Sequence, residues 1–223
     1  MSLGHKGYLL AVEVDHSAHL PSVMKAIQEK LGSWERPVVT DYELAVLVTS
    51  QVAHLEELPT LRLYEKVVDS LGSFGLISPS KDFKPRTVYH LFGRAKPKAT
   101  EVACAADPFA YISHLSAMEF HGLTDRFSKI LYLTTPPDTE WKELAKDRML
   151  KDLREHLEPF QKAKLPLLRH PVFDRVEAVR VECLLEPFSL PHVGVKRTVV
   201  KRVDAAFLGF GIAVDDQIHP RFF

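Results

Sequence analysis

The sequence predicts an α+β protein of two units, residues 1–94 and residues 95–223. Three observations predict this fold class. Apolar residues recur at helical spacing in three segments between residues 20 and 72. Two short strand-like runs, residues 76–77 and 87–92, then flank a loop rich in turn-forming residues. Beyond residue 107, strand-like runs and helical patterns are mixed, which indicates a second unit with an α/β character.

The composition bounds the class of protein. The chain has 223 residues, of which 46% are hydrophobic and 26% charged, which is typical of a soluble globular protein. Its formal net charge is zero, so attraction to nucleic acid has to come from local groups. Cys104 and Cys183 are expected to be buried, reduced thiols of a cytoplasmic protein. The apolar runs are too short to span a bilayer and no secretory signal is present, so we expect no membrane association.

The first two helices are predicted from apolar spacing and start signals. Residues 20–31 carry one apolar face, which predicts a first helix. Thr40 can serve as the N-cap of the second helix, and Glu43 three residues later completes a capping box. Val39 and Leu44 occupy the two positions of a hydrophobic staple.

A third helix and a hairpin follow. Thr60 can start this helix and Gly72 can end it. Its apolar face consists of Leu61, Tyr64, Val67, Val68 and Leu71. Helix, turn, helix and then a hairpin is the order of a winged helix-turn-helix, a DNA-binding architecture.

Positive charge concentrates on the hairpin and on the segment after it. Between residues 81 and 98 the bases outnumber the single acid, Asp82. Lysine and arginine contact DNA phosphates without reading the sequence, and on the third helix Arg62 and Lys66 are the residues suited to base edges. The predicted DNA-binding residues are Arg62, Lys66, Lys81, Lys84, Arg86, Lys96 and Lys98.

Two alternative interpretations of these residues do not involve DNA binding. A basic loop can be a solvated turn, and a winged helix can serve protein contacts instead of DNA. If Glu65, Asp69 and Asp82 neutralise the third helix and the loop, a protein-interaction adaptor is favoured. The DNA-binding hypothesis also requires that the hairpin at residues 81–86 is not buried against the second unit.

Residues 107–136, DPFAYISHLSAMEFHGLTDRFSKILYLTTP, form the most distinctive string of the chain. The string resembles the motif that follows the winged helix in the AbiEi-like family of abortive-infection antitoxins and regulators. The resemblance implies a transcriptional regulator that represses its own operon by binding double-stranded DNA of its own promoter. It also implies, as an alternative, an antitoxin that neutralises a nucleotidyltransferase-like toxin without binding DNA. The matching residues are Tyr111, Ser113, His114, Leu115, Ser116, Ala117, Glu119, His121, Gly122 and Leu123.

The same string also predicts local structure. Ser113 is placed as an N-cap, residues 114–121 form a helix, and Gly122 follows as the C′ residue. Leu115 and Met118 would pack inward. Residues 130–134 then supply a buried strand.

Because most helix-turn-helix regulators read two half-sites, we expect a homodimer.

No catalytic, cofactor or metal site is predicted. His114 and His121 are separated by about 10.5 Å of helical rise, too far for one zinc ion. No glycine-flanked nucleophile elbow surrounds Ser113 or Ser116. A nuclease strand of the Glu-x-Lys type needs a lysine two residues after the acid, and neither Glu177 nor Glu182 of RVEAVRVECLL has one. An enzyme of nucleic-acid metabolism would need clustered carboxylates, and the sequence does not indicate such a cluster.

The remaining segments complete the prediction. The Ala-rich stretch at residues 95–106 indicates a linker or a linking strand, and residues 139–161 form one long amphipathic helix. Strands are predicted at residues 8–14, 176–185 and 193–203. The last of these is basic and either extends the nucleic-acid surface or is an edge strand protected by lysine.

Overall fold

The computed structural model describes residues 20–94 and 96–186. The strands predicted at residues 8–14 and 193–203 lie outside the described residues. The architecture is mixed α+β. The helices of the described part are α1 (Leu20–Gly32), α2 (Asp41–Ala53), α3 (Leu61–Ser73), α4 (Ala99–Ala106), α5 (His114–Phe120), α6 (Asp138–Leu153) and α7 (Leu157–Lys162). The strands are β1 (Val38–Thr40), β2 (Ile77–Pro79), β3 (Val88–Leu91), β4 (Tyr111–Ile112), β5 (Ile130–Thr135), β6 (Arg175–Val176) and β7 (Val179–Leu185).

The N-terminal unit, residues 20–94, combines helices α1 to α3 with a three-stranded antiparallel sheet. The strand order is β1-β3-β2, so the first strand pairs with the last. Val38 lies opposite His90 on one side of β3, and Ile77 lies opposite Leu91 on the other. The chain order is therefore helix, strand, two helices and a hairpin.

The predicted start signals of α2 are confirmed. The Thr40 hydroxyl accepts a hydrogen bond from the Glu43 N–H at 3.2 Å, and the Glu43 carboxylate accepts one from the Thr40 N–H at 3.0 Å. Val39 and Leu44, the staple residues, are fully buried. The helix therefore starts where its own sequence satisfies its first N–H groups.

Helix α3 also starts as predicted but ends slightly later. The Thr60 hydroxyl accepts from the Leu63 N–H at 3.2 Å. The helix continues past Gly72 to Ser73, and Gly75 then adopts a positive φ of 69°. This conformation lets the Leu76 N–H return to the Leu71 carbonyl, a turn that glycine forms at least cost.

The second region, residues 96–186, contains a four-stranded sheet of order β4-β5-β7-β6. Strands β5 and β7 are parallel, whereas β4 and β6 pair antiparallel to their neighbours. The strand predicted at residues 176–185 is confirmed over Val179–Leu185 but is not continuous at its start. Glu177 and Ala178 both have positive φ values, so the chain turns there and separates β6 from β7.

The predicted linker at residues 95–106 is also wrong in part, because Ala99–Ala106 is helix α4. The Glu101 carboxylate accepts from the Lys98 N–H at 3.0 Å at the start of this helix. Its alanines and Val102 are mostly buried. Alanine is the best helix former, and Pro97 stands before the helix, where it does no harm.

The long helix predicted at residues 139–161 is interrupted. Arg154 has a positive φ of 48°, and a short 3-10 turn, Arg154–His156, separates α6 from α7. Pro159 lies in the first turn of α7. No N–H is needed at that position, so proline is tolerated there.

Two hydrophobic clusters form the core, and both contain residues from each side of residue 94. One joins α1, α2 and α3 to Trp141, Phe160 and Leu168. The other joins α4 and the second sheet to Phe83 and Val88 of the N-terminal unit. The two regions are therefore packed together through shared apolar contacts.

Candidate nucleic-acid interface

The loop between β2 and β3 contacts α3. An Arg86 Nη2 atom of this loop lies 2.5 Å from Asp69 Oδ1 on α3. Both side chains are more than half exposed, 59% and 66%, so water and salt screen this ion pair. The contact nevertheless brings together the two elements that the sequence predicted to bind DNA.

One side of the β2–β3 loop is fixed to the second region. Phe83 is buried, and its ring meets Phe173 edge-on with centroids 5.1 Å apart. The Asp82 carboxylate accepts a hydrogen bond from the Glu177 N–H at 2.8 Å. These contacts attach the middle of the loop to the β6–β7 turn and to the segment before it.

The other side of the loop faces solvent. Lys81, Lys84 and Arg86 are exposed. The hairpin at residues 81–86 is thus buried through Phe83 and accessible through its basic side chains.

The other predicted DNA-binding residues have different surroundings. On α3, Arg62 is exposed and Lys66 is half-buried. Lys96 and Lys98 are exposed just before α4. Arg94, from the same basic stretch, donates to the carbonyls of residues 31 and 32 and so completes the end of α1.

The three acids that would favour the adaptor if they neutralised this surface have different surroundings. Asp69 pairs with Arg86, and Asp82 is engaged by the Glu177 backbone. Glu65 is exposed on α3. Of the loop bases, Arg86 is therefore the one that an α3 carboxylate partly neutralises.

The loop is held by its own hydrogen bonds as well. The Thr87 hydroxyl donates to the Lys84 carbonyl at 2.6 Å, and the Tyr89 hydroxyl donates to the Arg86 carbonyl at 3.2 Å. The Asp41 N–H donates to the Thr87 carbonyl at 2.9 Å, which links the loop to the start of α2. Burial raises the pKa of the nearby Asp41 carboxyl to about 6.

Ser116 and Gly122 of the distinctive string fix the local structure around α5. The Ser116 hydroxyl donates to the Ile130 carbonyl at 3.2 Å and accepts from the Tyr132 N–H at 3.0 Å, which joins α5 to β5. Gly122 has the positive φ of 65° expected of a C′ residue. Ser113 precedes the helix as predicted, but its side chain contacts the His114 ring instead of capping a backbone N–H.

Two packing predictions for α5 need correction. Met118, expected to pack inward, is 44% exposed, and Leu115 is only half-buried. Ser116 and Ala117 are the buried residues of this helix. The hydrogen bonds of the Ser116 side chain fix the orientation of this helix. The spacing of apolar residues cannot predict an orientation that a polar side chain determines.

The histidines of the distinctive string and the two cysteines have different surroundings. His114 and His121 are exposed, and no three metal-binding side chains cluster within residues 20–94 and 96–186. Cys183, expected in the core, is exposed, whereas Cys104 is half-buried. Burial raises the pKa of the Cys104 thiol to about 12, which disfavours its reactive thiolate.

A buried carboxylate that the sequence did not single out organises the second region. Asp107 accepts hydrogen bonds from the Phe109 N–H, the Thr135 hydroxyl and the Trp141 indole. The His170 ring stacks on Trp141 with centroids 4.9 Å apart. The sequence signal for this buried carboxylate is an aspartate followed by a proline within an apolar stretch.

Two further findings concern membrane-spanning helices and similarity to other proteins. Among the described helices, none combines the length and apolar character that crossing a membrane requires. Comparison of the chain with protein-family models, curated proteins and solved structures found no match.

Proposed function

We propose that the protein is a DNA-binding transcriptional regulator whose N-terminal unit is a winged helix-turn-helix. The element order supports this proposal, because two consecutive helices followed by a hairpin is the order predicted for a winged helix-turn-helix. In this assignment α3 is the recognition helix and the β2–β3 loop is the wing. The binding partner is double-stranded DNA of the protein's own promoter.

The observation that carries the proposal is the outward basic side of the loop beside α3. Lys81, Lys84 and Arg86 stay exposed although Phe83 fixes the loop from within. The contact between Arg86 and Asp69 places α3 next to one of these bases. A duplex that meets one element therefore meets the other, as phosphate contacts beside a groove-reading helix require.

Salt dependence of DNA binding tests the proposal. We expect the protein to bind a labelled promoter duplex more tightly than a shuffled duplex, as measured by fluorescence anisotropy. Replacing both Lys84 and Arg86 with alanine should weaken binding to both duplexes and lower the slope of log affinity against log salt by about 1 to 2. The variant Lys146→Ala/Lys151→Ala removes two exposed charges from α6 and serves as the control. An unchanged slope in the loop variant would refute the wing assignment.

The Asp69 carboxylate offers a test in the opposite direction. It competes with DNA phosphates for Arg86. We expect Asp69→Asn to tighten binding to both duplexes by about two- to fivefold, the range of an exposed ion pair. Weaker binding would show that the pair positions Arg86 for contact instead of competing for it.

The second candidate function is a protein-interaction antitoxin or adaptor. It is favoured by the partial neutralisation of Arg86 and by three exposed apolar side chains, Phe120, Leu123 and Phe127. Its partner would be a nucleotidyltransferase-like toxin. A neighbouring reading frame for such a toxin, a stable complex of the two proteins and no DNA binding would together support this candidate over the regulator.

A further inference from the structure

A groove lies between the β2–β3 loop and the segment that follows α7. Its volume is about 490 Å³. Leu61, the first residue of α3, lines one part of it, and residues 83–88 of the loop line another. Residues 164–172 of the second region complete the wall. The groove thus adjoins both elements assigned to DNA contact and a third element that the sequence did not predict.

The third element contributes positive charge. Lys164 and Arg169 line the groove together with Lys84 and Arg86, and all four side chains are exposed. Asp41 is the one acidic residue among the described residues of the lining. The groove therefore combines bases from two distant parts of the chain around one carboxyl.

The segment that carries Arg169 is firmly positioned. Leu165 and Leu168 are buried in the core that the two regions share. His170 stacks on Trp141 and hydrogen-bonds through Nδ1 to Asp138 at 2.7 Å. Arg169 lies between two anchored residues, so its guanidinium is presented from a fixed backbone.

We infer that this groove is a phosphate-binding site for the DNA backbone, with Lys164 and Arg169 as contact residues supplied by the second region. The inference rests on the proposed function. Leu61 of α3 and the loop both line the groove, so a duplex that contacts α3 and the loop lies next to it. The backbone of that duplex then lies within reach of all four bases, and arginine and lysine neutralise phosphates in any sequence.

The variant Lys164→Ala/Arg169→Ala tests this inference. We expect binding to promoter and shuffled duplexes to weaken by roughly tenfold, and the slope of log affinity against log salt to fall by about 1 to 2. Lys146→Ala/Lys151→Ala, which removes two exposed bases outside the groove, should leave the slope unchanged. Lys164→Arg/Arg169→Lys keeps the charges and should keep the wild-type slope. Circular dichroism verifies that each variant is folded.

The outcomes separate this inference from the function on which it rests. A wild-type protein without salt-dependent duplex binding refutes both. If the Lys84→Ala/Arg86→Ala variant loses slope and the Lys164→Ala/Arg169→Ala variant does not, the regulator proposal stands and the composite groove is wrong. Tighter binding by Lys164→Ala/Arg169→Ala would also overturn it, because the segment would then obstruct the duplex.

Discussion

The N-terminal unit and the second region are stabilised over different distances along the chain. In the N-terminal unit, Thr40 and Glu43 exchange hydrogen bonds across three residues. In the second region, Asp107 accepts from Thr135 and Trp141, which are 28 and 34 residues away. Its central strands, β5 and β7, are parallel and belong to separate parts of the sequence. Local rules thus specify the helix starts of the first region, whereas the second region, like the pairing of β1 with β3, depends on contacts that exist only in the folded state.

This contrast predicts unequal sensitivity to mutation. A local cap affects the end of one helix, but a buried carboxylate that joins several segments affects all of them. Because both hydrophobic clusters cross residue 94, damage to the second region should also reduce the stability of the first.

The largest effect is expected from Asp107→Ala. It leaves the Phe109 N–H and the Trp141 indole without their buried acceptor. We expect the free energy of unfolding to fall by about 4 kcal/mol, because each buried donor without a partner costs about 1 to 3 kcal/mol. Urea unfolding followed by circular dichroism measures the change. Asp138→Ala removes the exposed partner of His170 and should cost less than about 1 kcal/mol. Equal effects of the two variants would refute the central role of Asp107.

Phe83→Ala should be next in size. Removing this buried ring is expected to lower the free energy of unfolding by about 3 kcal/mol. A double-mutant cycle with Phe173→Ala should give a coupling energy of about 1 kcal/mol, as for other edge-on ring pairs. Strictly additive effects would show that the loop is not held by this contact, and the two regions would then be more independent than their packing indicates.

Asp41→Asn tests the pH dependence of stability at the start of α2. The folded-state pKa is about 6, raised by burial from 3.8, so the folded protein holds this proton more tightly than the unfolded chain. The resulting stability is fully present below 3.8 and is lost as the pH rises through about 6. The neutral asparagine avoids this loss.

Relative to wild type, Asp41→Asn should therefore gain about 2 to 3 kcal/mol between the acid end of this window and near pH 8. Urea unfolding at a series of pH values measures the difference. A difference that does not change with pH would mean that Asp41 is not desolvated in the folded protein.

Thr40→Ala should have the smallest effect. It removes one half of the capping box and is expected to cost about 1 kcal/mol. Thr40→Ser retains the hydroxyl and should restore most of the loss. Thermal unfolding of the two variants measures the difference, and a loss as large as that of Asp107→Ala would contradict the contrast between the regions.

The predictable part of the fold is the part specified by neighbouring residues. Helices α2 and α3 were predicted because Thr40 and Thr60 satisfy N–H groups three residues away. The break at Arg154 was missed because apolar spacing continues through it. Helix α4 was missed because Pro97 and alanine were interpreted as a linker, although alanine favours a helix and Glu101 marks its start.

The candidate site was predictable only in its N-terminal half. The basic character of the β2–β3 loop is visible in the sequence, but the contact between Phe83 and Phe173 joins residues from different regions. Lys164 and Arg169 lie in a segment whose composition is unremarkable until the fold brings it beside Lys84. Such a surface arises from tertiary packing, and no spacing rule connects its members.

Attachment of the β2–β3 loop through Phe83 and Asp82 has a thermodynamic consequence for recognition. Ordering a free backbone costs about 1 to 2 kcal/mol per residue, and here the folding of the protein has already met that cost. Any partner of this loop encounters a preorganised surface. The same rigidity prevents the loop from changing shape on binding. Selectivity between partners therefore depends on whether the surface of the partner matches the fixed spacing of the positive charges on the loop.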